Sequence, residues 1–176
     1  GDNTYGECSV PPLSTGLSYV EITGGLDRSL ARYAVSATLL CEPGIAGVIA
    51  CPCSNAPSRP GRGCDNSAAT GGAILAAAGE ASLSRDTLVF TAARERSDAL
   101  SLLLQGTSAL PSGAVYGQGV RCVAGTLKRL FNRAASAGIV TFPSFAVGDS
   151  GISSRSRALG DPILPGESRW YFIYYR

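Results

Sequence analysis

Short runs in which apolar and polar residues alternate recur along this chain of 176 residues. In residues 32–40 (RYAVSATLL) every second residue from Tyr33 to Leu39 is apolar, which predicts a half-buried β-strand. Similar runs predict strands at 17–23, 47–50, 71–82, 86–92, 99–106, 115–125, 126–132, 137–142 and 152–158. Residues 71–82 also fit a helix, and residues 92–104 place apolar residues at helical spacing. The closely spaced turns between the runs favour strands.

The strongest predicted strand is at residues 168–176 (SRWYFIYYR). Alternation places Trp170, Phe172 and Tyr174 on one face, and Tyr171, Ile173 and Tyr175 on the other. A strand that is apolar on both faces is normally covered on both, so we predict a central position in a sandwich.

About 8–10 short strands with regular turns predict an all-β fold, an antiparallel β-sandwich or jelly roll. The length fits a single domain. We predict that residues 31–176 form this domain, including a cysteine-rich loop at 41–64. Residues 1–30 are predicted to be an N-terminal arm or an extra strand.

The cysteines indicate a fold stapled by disulfides. Their even number in a chain with 22 glycines and ten prolines predicts three disulfides and an oxidising compartment, with the pairing open. The candidates are Cys8, Cys41, Cys51, Cys53, Cys64 and Cys122. A metal site of four thiolates is the alternative, but Cys51 and Cys53 are separated by one residue instead of the two that zinc sites favour.

The composition disfavours most catalytic sites. The chain has no histidine, which removes Ser-His-Asp, Cys-His and His-ligated zinc sites. The sequence Gly-Asp-Ser-Gly at 148–151 resembles the surroundings of a serine nucleophile, but it is interpreted as a turn. Asp149, Asp161 and Glu167 are candidate glycosidase acids, but their sequence contexts favour roles in turns or caps. We therefore expect neither an enzyme nor a cofactor or metal.

The charge and hydropathy restrict the partners. A formal charge of +2, dispersed along the chain, is too small for a nucleic-acid-binding surface. No apolar run is long enough for a transmembrane helix. We expect a secreted or cell-surface protein without a nucleic-acid partner or a membrane span.

Three segments together resemble a known class of proteins. These are CPCSNAPSRPGRGCDNSAATGGAILAAAGEASLSRDTLVF (51–90), GQGVRCVAGTLKRL (117–130) and GDSGISSRSRALGDPILPGESRWYFIYYR (148–176). They are similar to secreted proteins of unassigned function from planctomycetes and similar environmental bacteria. The resemblance implies an extracellular β-domain. Members of that class continue after the tyrosine-rich strand with a further cysteine-containing segment, so an open groove or edge is expected here.

The leading hypothesis for function is an extracellular structural protein, a self-associating subunit of a surface filament, pilus-like fibre or matrix. Residues 1–25 are the candidate for a strand donated to a neighbouring subunit. The candidate contact residues in it are Leu17, Tyr19, Val20 and Ile22. A carbohydrate- or surface-binding module is the alternative, with the C-terminal aromatic residues as a platform for a glycan or a cell surface.

Overall fold

The computed structural model of this protein describes residues 39–176, together with the backbone of residues 17–24 and 29–35. The strands are β1 (Leu17–Gly24), β2 (Ser29–Val35), β3 (Ile74–Ala78), β4 (Val89–Ala93), β5 (Leu100–Gly106), β6 (Ser108–Tyr116), β7 (Gly119–Ala124), β8 (Lys128–Ala134), β9 (Val140–Phe142) and β10 (Trp170–Tyr175). A turn of 3-10 helix at Phe145–Val147 and an α-helix, α1 (Ile152–Ala158), lie between β9 and β10.

Two three-stranded antiparallel sheets form the body, with strand orders β10–β5–β8 and β3–β4–β9. Both sheets and α1 share one hydrophobic core. Alternate residues of a strand point to the same side, so each sheet can turn one apolar face toward this core. Its buried members are Leu88, Phe90, Ala92, Leu103, Leu130, Ala135, Val140, Phe142 and Ile152. The predicted antiparallel, disulfide-stapled all-β fold is therefore confirmed.

A β6–β7 hairpin covers one end of this body, and β6 was absent from the predicted strands. β6 contains Pro111, which removes a backbone donor and breaks the apolar alternation. Its pairing with β7 is irregular over this stretch, since the register shifts between Ala109 and Ala114. A strand with a proline and a shifted register is hidden from an alternation pattern.

The N-terminal strands β1 and β2 pair antiparallel with each other, from Leu17 opposite Val35 to Gly24 opposite Ser29. Within the described residues they form a two-stranded sheet of their own. The domain boundary predicted between residues 30 and 31 falls inside β2. A two-stranded sheet is marginally stable alone, and β2 of this one contacts β3 of the body.

Residues 152–158 form helix α1, and the strand predicted there was wrong. The buried residues of α1 are Ile152 and Ser156, four positions apart, which is helical spacing. The carboxylate of Asp86 accepts a hydrogen bond from the Ser153 N–H at 2.6 Å, in the first turn of the helix. This contact satisfies a backbone donor that a helix start leaves without a partner.

A buried polar network fixes the segment before β10. The Gln105 side chain of β5 donates hydrogen bonds of 2.8 Å to Ser156 Oγ and Asp161 Oδ2. Arg169, which directly precedes β10, forms ion pairs with Asp161 at 3.2 Å and with Glu167 at 3.0 Å. β10 therefore starts from a point that is tied to both β5 and α1.

The cysteine-rich segment is irregular, and the strand predicted at 47–50 is absent from it. Asp65 organises the turns that directly follow this segment. The Asp65 Oδ1 atom accepts hydrogen bonds from the backbone N–H groups of Asn66, Gly71 and Gly72, at 2.8, 2.8 and 3.1 Å. Gly72 is required at its position, because it has φ of 93° and a Cβ there would lie 2.0 Å from the Gly63 carbonyl oxygen.

Candidate functional site

β10 lies at the edge of its sheet, and the central position predicted for it was wrong. It pairs with β5, and no other strand in the described part of the chain pairs with its second edge. All six residues of β10 are half-buried. A strand with two apolar faces thus borders an open sheet edge, a feature that proteins usually cover or blunt.

The direction of the β10 backbone groups follows from one hydrogen bond, in which the Arg176 N–H donates to the Leu100 carbonyl at 3.2 Å. In an antiparallel pair, successive residues point their N–H and C=O groups alternately toward and away from the partner strand. Tyr171, Ile173 and Tyr175 therefore point theirs away from β5. These groups form a template on which another strand can pair.

An open groove of about 960 Å³ runs along this edge. Every residue of the range 169–176 lines it, so the groove follows the edge of β10 and touches both of its faces. β3 contributes Leu75, Ala76 and Ala77, and β7 contributes residues 119–123. Three strands that lie at sheet edges therefore border the groove.

One wall of the groove is aromatic. The ring of Tyr116, at the end of β6, meets Phe172 edge-on at 5.8 Å and Tyr174 at 5.0 Å between ring centroids. The guanidinium of Arg121 lies 5.5 Å from the centroid of the same Tyr116 ring. These contacts attach the β6–β7 hairpin to one face of β10 and make that wall apolar.

The opposite face of β10 packs toward β4 and the turns that follow the cysteine-rich segment. The Tyr171 ring lies 4.6 Å from Phe90, and burial, with the nearby Asp86 charge, raises the pKa of Tyr171 well above its usual range. Burial also raises the pKa of Tyr175, whose hydroxyl oxygen accepts a hydrogen bond of 3.1 Å from Asn66. Both hydroxyls are therefore uncharged near neutral pH, and this wall has no tyrosinate.

The rim of the groove is basic. Its charged lining residues are Arg62, Arg96, Arg121, Arg169, Arg176 and a single carboxylate, Asp65. Asp65 is occupied by backbone N–H groups, and Arg169 by its own carboxylates. Lost hydration and the nearby charges of Arg94 and Arg59 lower the pKa of Arg62. The nearby Asp65 charge opposes this lowering of the Arg62 pKa. The rim thus holds five arginines and one carboxylate.

Four of the six predicted disulfide cysteines are bonded, as Cys41–Cys122 and Cys51–Cys64. Cys53 is exposed and has no disulfide partner among the described residues, and Cys8 lies outside them. The alternative site of four thiolates at 41–64 does not form, because three of its cysteines are in disulfides. The sequence identified the cysteines that form these disulfides, but it did not determine which cysteines pair.

The predicted contact residues between subunits, Leu17, Tyr19, Val20 and Ile22, all lie in β1. One edge of β1 pairs with β2, with an irregularity between Tyr19 and Glu21. Within the described residues no strand pairs with the other edge of β1. The strand thus has backbone groups available for a further partner, and the contact role of these residues stays a prediction.

The acidic residues weighed as catalytic are held in ion pairs. Asp149, in the Gly-Asp-Ser-Gly segment, pairs with Arg133 at 2.8 Å. Asp161 and Glu167 both pair with Arg169. Among the described residues no three Cys, Asp or Glu side chains converge on a point where a metal ion would bind. α1, with seven residues, is too short to cross a membrane, and the described part of the chain holds no longer helix.

Comparison with protein-family models, with curated proteins and with solved structures found no match to this chain. The resemblance drawn from the cysteine and tyrosine motifs therefore stays an expectation, and the groove has to be interpreted from its own geometry.

Proposed function

We propose that this protein is an extracellular structural subunit that assembles with copies of itself, accepting an added β-strand in the groove beside β10. The observation that carries the proposal is the position of β10, an edge strand with two apolar faces and a row of outward-pointing backbone groups. Strand addition satisfies those groups with main-chain hydrogen bonds, and side-chain pockets then select the partner.

The walls of the groove favour a strand over a small molecule. A strand paired with β10 would have one face against the β6–β7 hairpin and the other against β3 and β4, so both of its faces would be covered. The groove volume of about 960 Å³ is at the upper end of small-molecule sites. The bordering strand is six residues long, about 20 Å, which matches a short added strand.

Assembly into an open polymer follows when donor and acceptor are different surfaces of one chain. Such a head-to-tail contact repeats without closing unless its rotation happens to form a ring. The disulfides Cys41–Cys122 and Cys51–Cys64 are compatible with the extracellular location that a surface fibre or matrix requires.

A carbohydrate- or surface-binding module remains the competing proposal, and the aromatic residues of the groove weigh against it. Tyr116, Phe172 and Tyr174 already pack against one another, and no β10 residue is exposed. A sugar platform needs aromatic faces that solvent reaches.

The test introduces a lysine into the groove by the substitution Ala76→Lys. Ala76 is exposed on β3 and lines the groove, so a lysine there obstructs an incoming strand without entering the core. Ala78→Lys is the matched control, since Ala78 is exposed on the same face of β3 but lies outside the groove. Self-association of the unreduced protein is measured by sedimentation velocity over a range of concentrations, and particle shape by negative-stain microscopy.

We expect the wild type and Ala78→Lys to form polymers in a concentration-dependent manner. The association of Ala76→Lys should be weaker by a factor of about ten or more. Equal association of the two variants would place the contact elsewhere on the surface. A wild type that stays monomeric at every concentration, and that binds glycans in an array, would replace the structural proposal with the carbohydrate-binding one.

A further inference from the structure

We propose that the strand received by the groove is β1 of a second copy, and that the acidic N-terminal segment carrying it is recognised by the arginines of the groove rim. The acidic segment is defined here as residues 1–27. This inference rests on the proposed self-association and names its donor.

The charges of this chain are segregated along its length. The acidic segment contains the four acids Asp2, Glu7, Glu21 and Asp27 and no lysine or arginine. All 15 basic residues therefore lie after residue 27, whereas only nine of the 13 acidic residues do. A net charge of +2 for the whole chain conceals an acidic end and a basic body, and opposite charges on two parts of one chain favour head-to-tail association.

The groove gathers several of the arginines that have no carboxylate partner in the described body. Within the described residues, no carboxylate lies within 4.0 Å of the guanidinium groups of Arg62, Arg96 or Arg176. Arg62 donates a hydrogen bond to Ser58 Oγ at 2.9 Å, and Arg176 lies over the Tyr174 ring, so neither is neutralised. An acidic strand would supply these cations with their missing counter-charges.

The backbone of β1 is suited to pair with β10. β1 has one edge on β2 and its other edge open within the described residues, and β10 has one edge on β5. Pairing of the two open edges joins the sheets into one of five strands, in the order β2–β1–β10–β5–β8. The two-stranded β1–β2 sheet, which is marginal alone, becomes part of a larger hydrogen-bonded sheet.

The donor belongs to a second copy because the chain's own strands are arranged otherwise. In one chain β1 and β2 form a sheet separate from that of β10. The described body begins at the groove, since Leu39, Leu40 and Cys41 line it. Donor and acceptor therefore adjoin on one molecule, and exchange of such a segment between copies is a low-cost route to assembly.

The test uses two full-length variants with reversed charges. The acceptor variant carries Arg62→Glu, Arg96→Glu and Arg176→Glu. The donor variant carries Asp2→Arg, Glu7→Arg and Asp27→Arg. Glu21 is left unchanged because it lies opposite Arg32 in the β1–β2 register. A control with the same change in net charge as the acceptor variant carries Arg85→Glu, Arg129→Glu and Arg157→Glu, three exposed arginines outside the groove.

Each reversed variant alone brings like charges together, so we expect its self-association to weaken about tenfold or more, while the control polymerises like the wild type. An equimolar mixture of the two variants should recover wild-type polymers, because each donor then meets an acceptor of opposite charge. Raising the ionic strength from about 0.05 M to about 0.5 M should weaken both the wild type and the mixture, because exposed charges are screened.

The outcomes separate this inference from the proposed function. If both variants polymerise alone as well as the wild type, while Ala76→Lys does not, the groove is the acceptor but the acidic segment is not its charged donor. A mixture that stays as weak as its components would also overturn the inference. Loss of wild-type assembly under all conditions would overturn the proposed function itself.

Discussion

Glu95, in the turn after β4, is buried with 2% of its surface exposed. The Ser101 hydroxyl donates a hydrogen bond to its Oε2 atom, and its Oε1 atom has no partner among the described residues. Burial raises the pKa of Glu95, and the hydrogen bond from Ser101 opposes this rise only in part. The folded protein therefore holds a proton on Glu95 at pH values where an exposed glutamate has lost it.

This burial makes the stability of the protein depend on pH. The unfolded chain releases the Glu95 proton near its ordinary pKa of 4.5, whereas the folded chain keeps it to higher pH. The stability that comes from burying a protonated Glu95 is therefore fully present below that value. It is lost as the pH rises through the raised pKa of the folded protein. We expect Glu95→Gln, a neutral side chain of the same shape, to exceed the wild type in free energy of unfolding at pH 8 and to match it near pH 4.

Urea denaturation at the two pH values measures this difference. Asp98→Asn, at an exposed position, is the control and should follow the wild type at both. A Glu95→Gln protein that is less stable than the wild type at pH 8 would show that the carboxylate is ionised and stabilising in the fold.

At the scale of the element, β10 shows what alternation reveals and what it does not. The six aromatic and aliphatic residues of β10 were enough to predict a strand with two apolar faces. Alternation does not say what covers those faces or whether a neighbouring strand is present, because sheet order is set by contacts distant in sequence. Its edge position, and thus the groove, became visible only in the structure.

The dependence on contacts distant in sequence also explains the other differences between the predicted and the observed structure. The helix α1 was mistaken for a strand because the helical spacing of Ile152 and Ser156 involves a serine, which is buried by its hydrogen bonds and not by apolarity. The arginines of the rim come from β7, from two loops and from the two positions that flank β10, so the sequence showed them only as dispersed charge. Cysteine pairing was open for the same reason, since the residues of each disulfide are separated by 81 and 13 positions.

The edge of β10 gives a prediction for hydrogen exchange. In the monomer, the N–H groups of Tyr171, Ile173 and Tyr175 point away from β5 and should exchange faster than those of Phe172 and Tyr174, which face it. Strand addition should protect the first three in the polymer and leave the other two unchanged. Residue-resolved exchange in dispersed and assembled protein measures this, with Ala76→Lys as the dispersed form.

Protection of both sets to the same extent would indicate that the face of the sheet, and not its edge, is covered on assembly. The alternating pattern is therefore specific to strand addition, because stacking of two surfaces has no reason to distinguish neighbouring residues of one strand.

At the scale of the whole molecule, two cysteines remain outside the described disulfides, Cys8 in the N-terminal arm and Cys53 in the body. Four cysteines are paired within the body, which leaves Cys53 and Cys8 for the third predicted disulfide. The Cys53 N–H donates a hydrogen bond to Asn55 Oδ1. The Asn55 side chain in turn donates to the carbonyls of Asp65 and Gln118, which line the groove, so Cys53 lies close to the groove. A donated arm would bring Cys8 of one copy toward Cys53 of the next.

We therefore expect unreduced polymers to contain a Cys8–Cys53 bond between copies. Mass spectrometry should find this linked pair and no alkylatable thiol, and a non-reducing gel should show a ladder of multiples of 18.0 kDa. Cys53→Ser should collapse the ladder to single chains while the charge-dependent assembly persists in sedimentation, since the groove is unchanged. If mass spectrometry finds the Cys8–Cys53 pair but the gel shows only single chains, each arm is bonded to its own body. That result would contradict donation to a neighbour. Two free thiols would instead contradict the third disulfide.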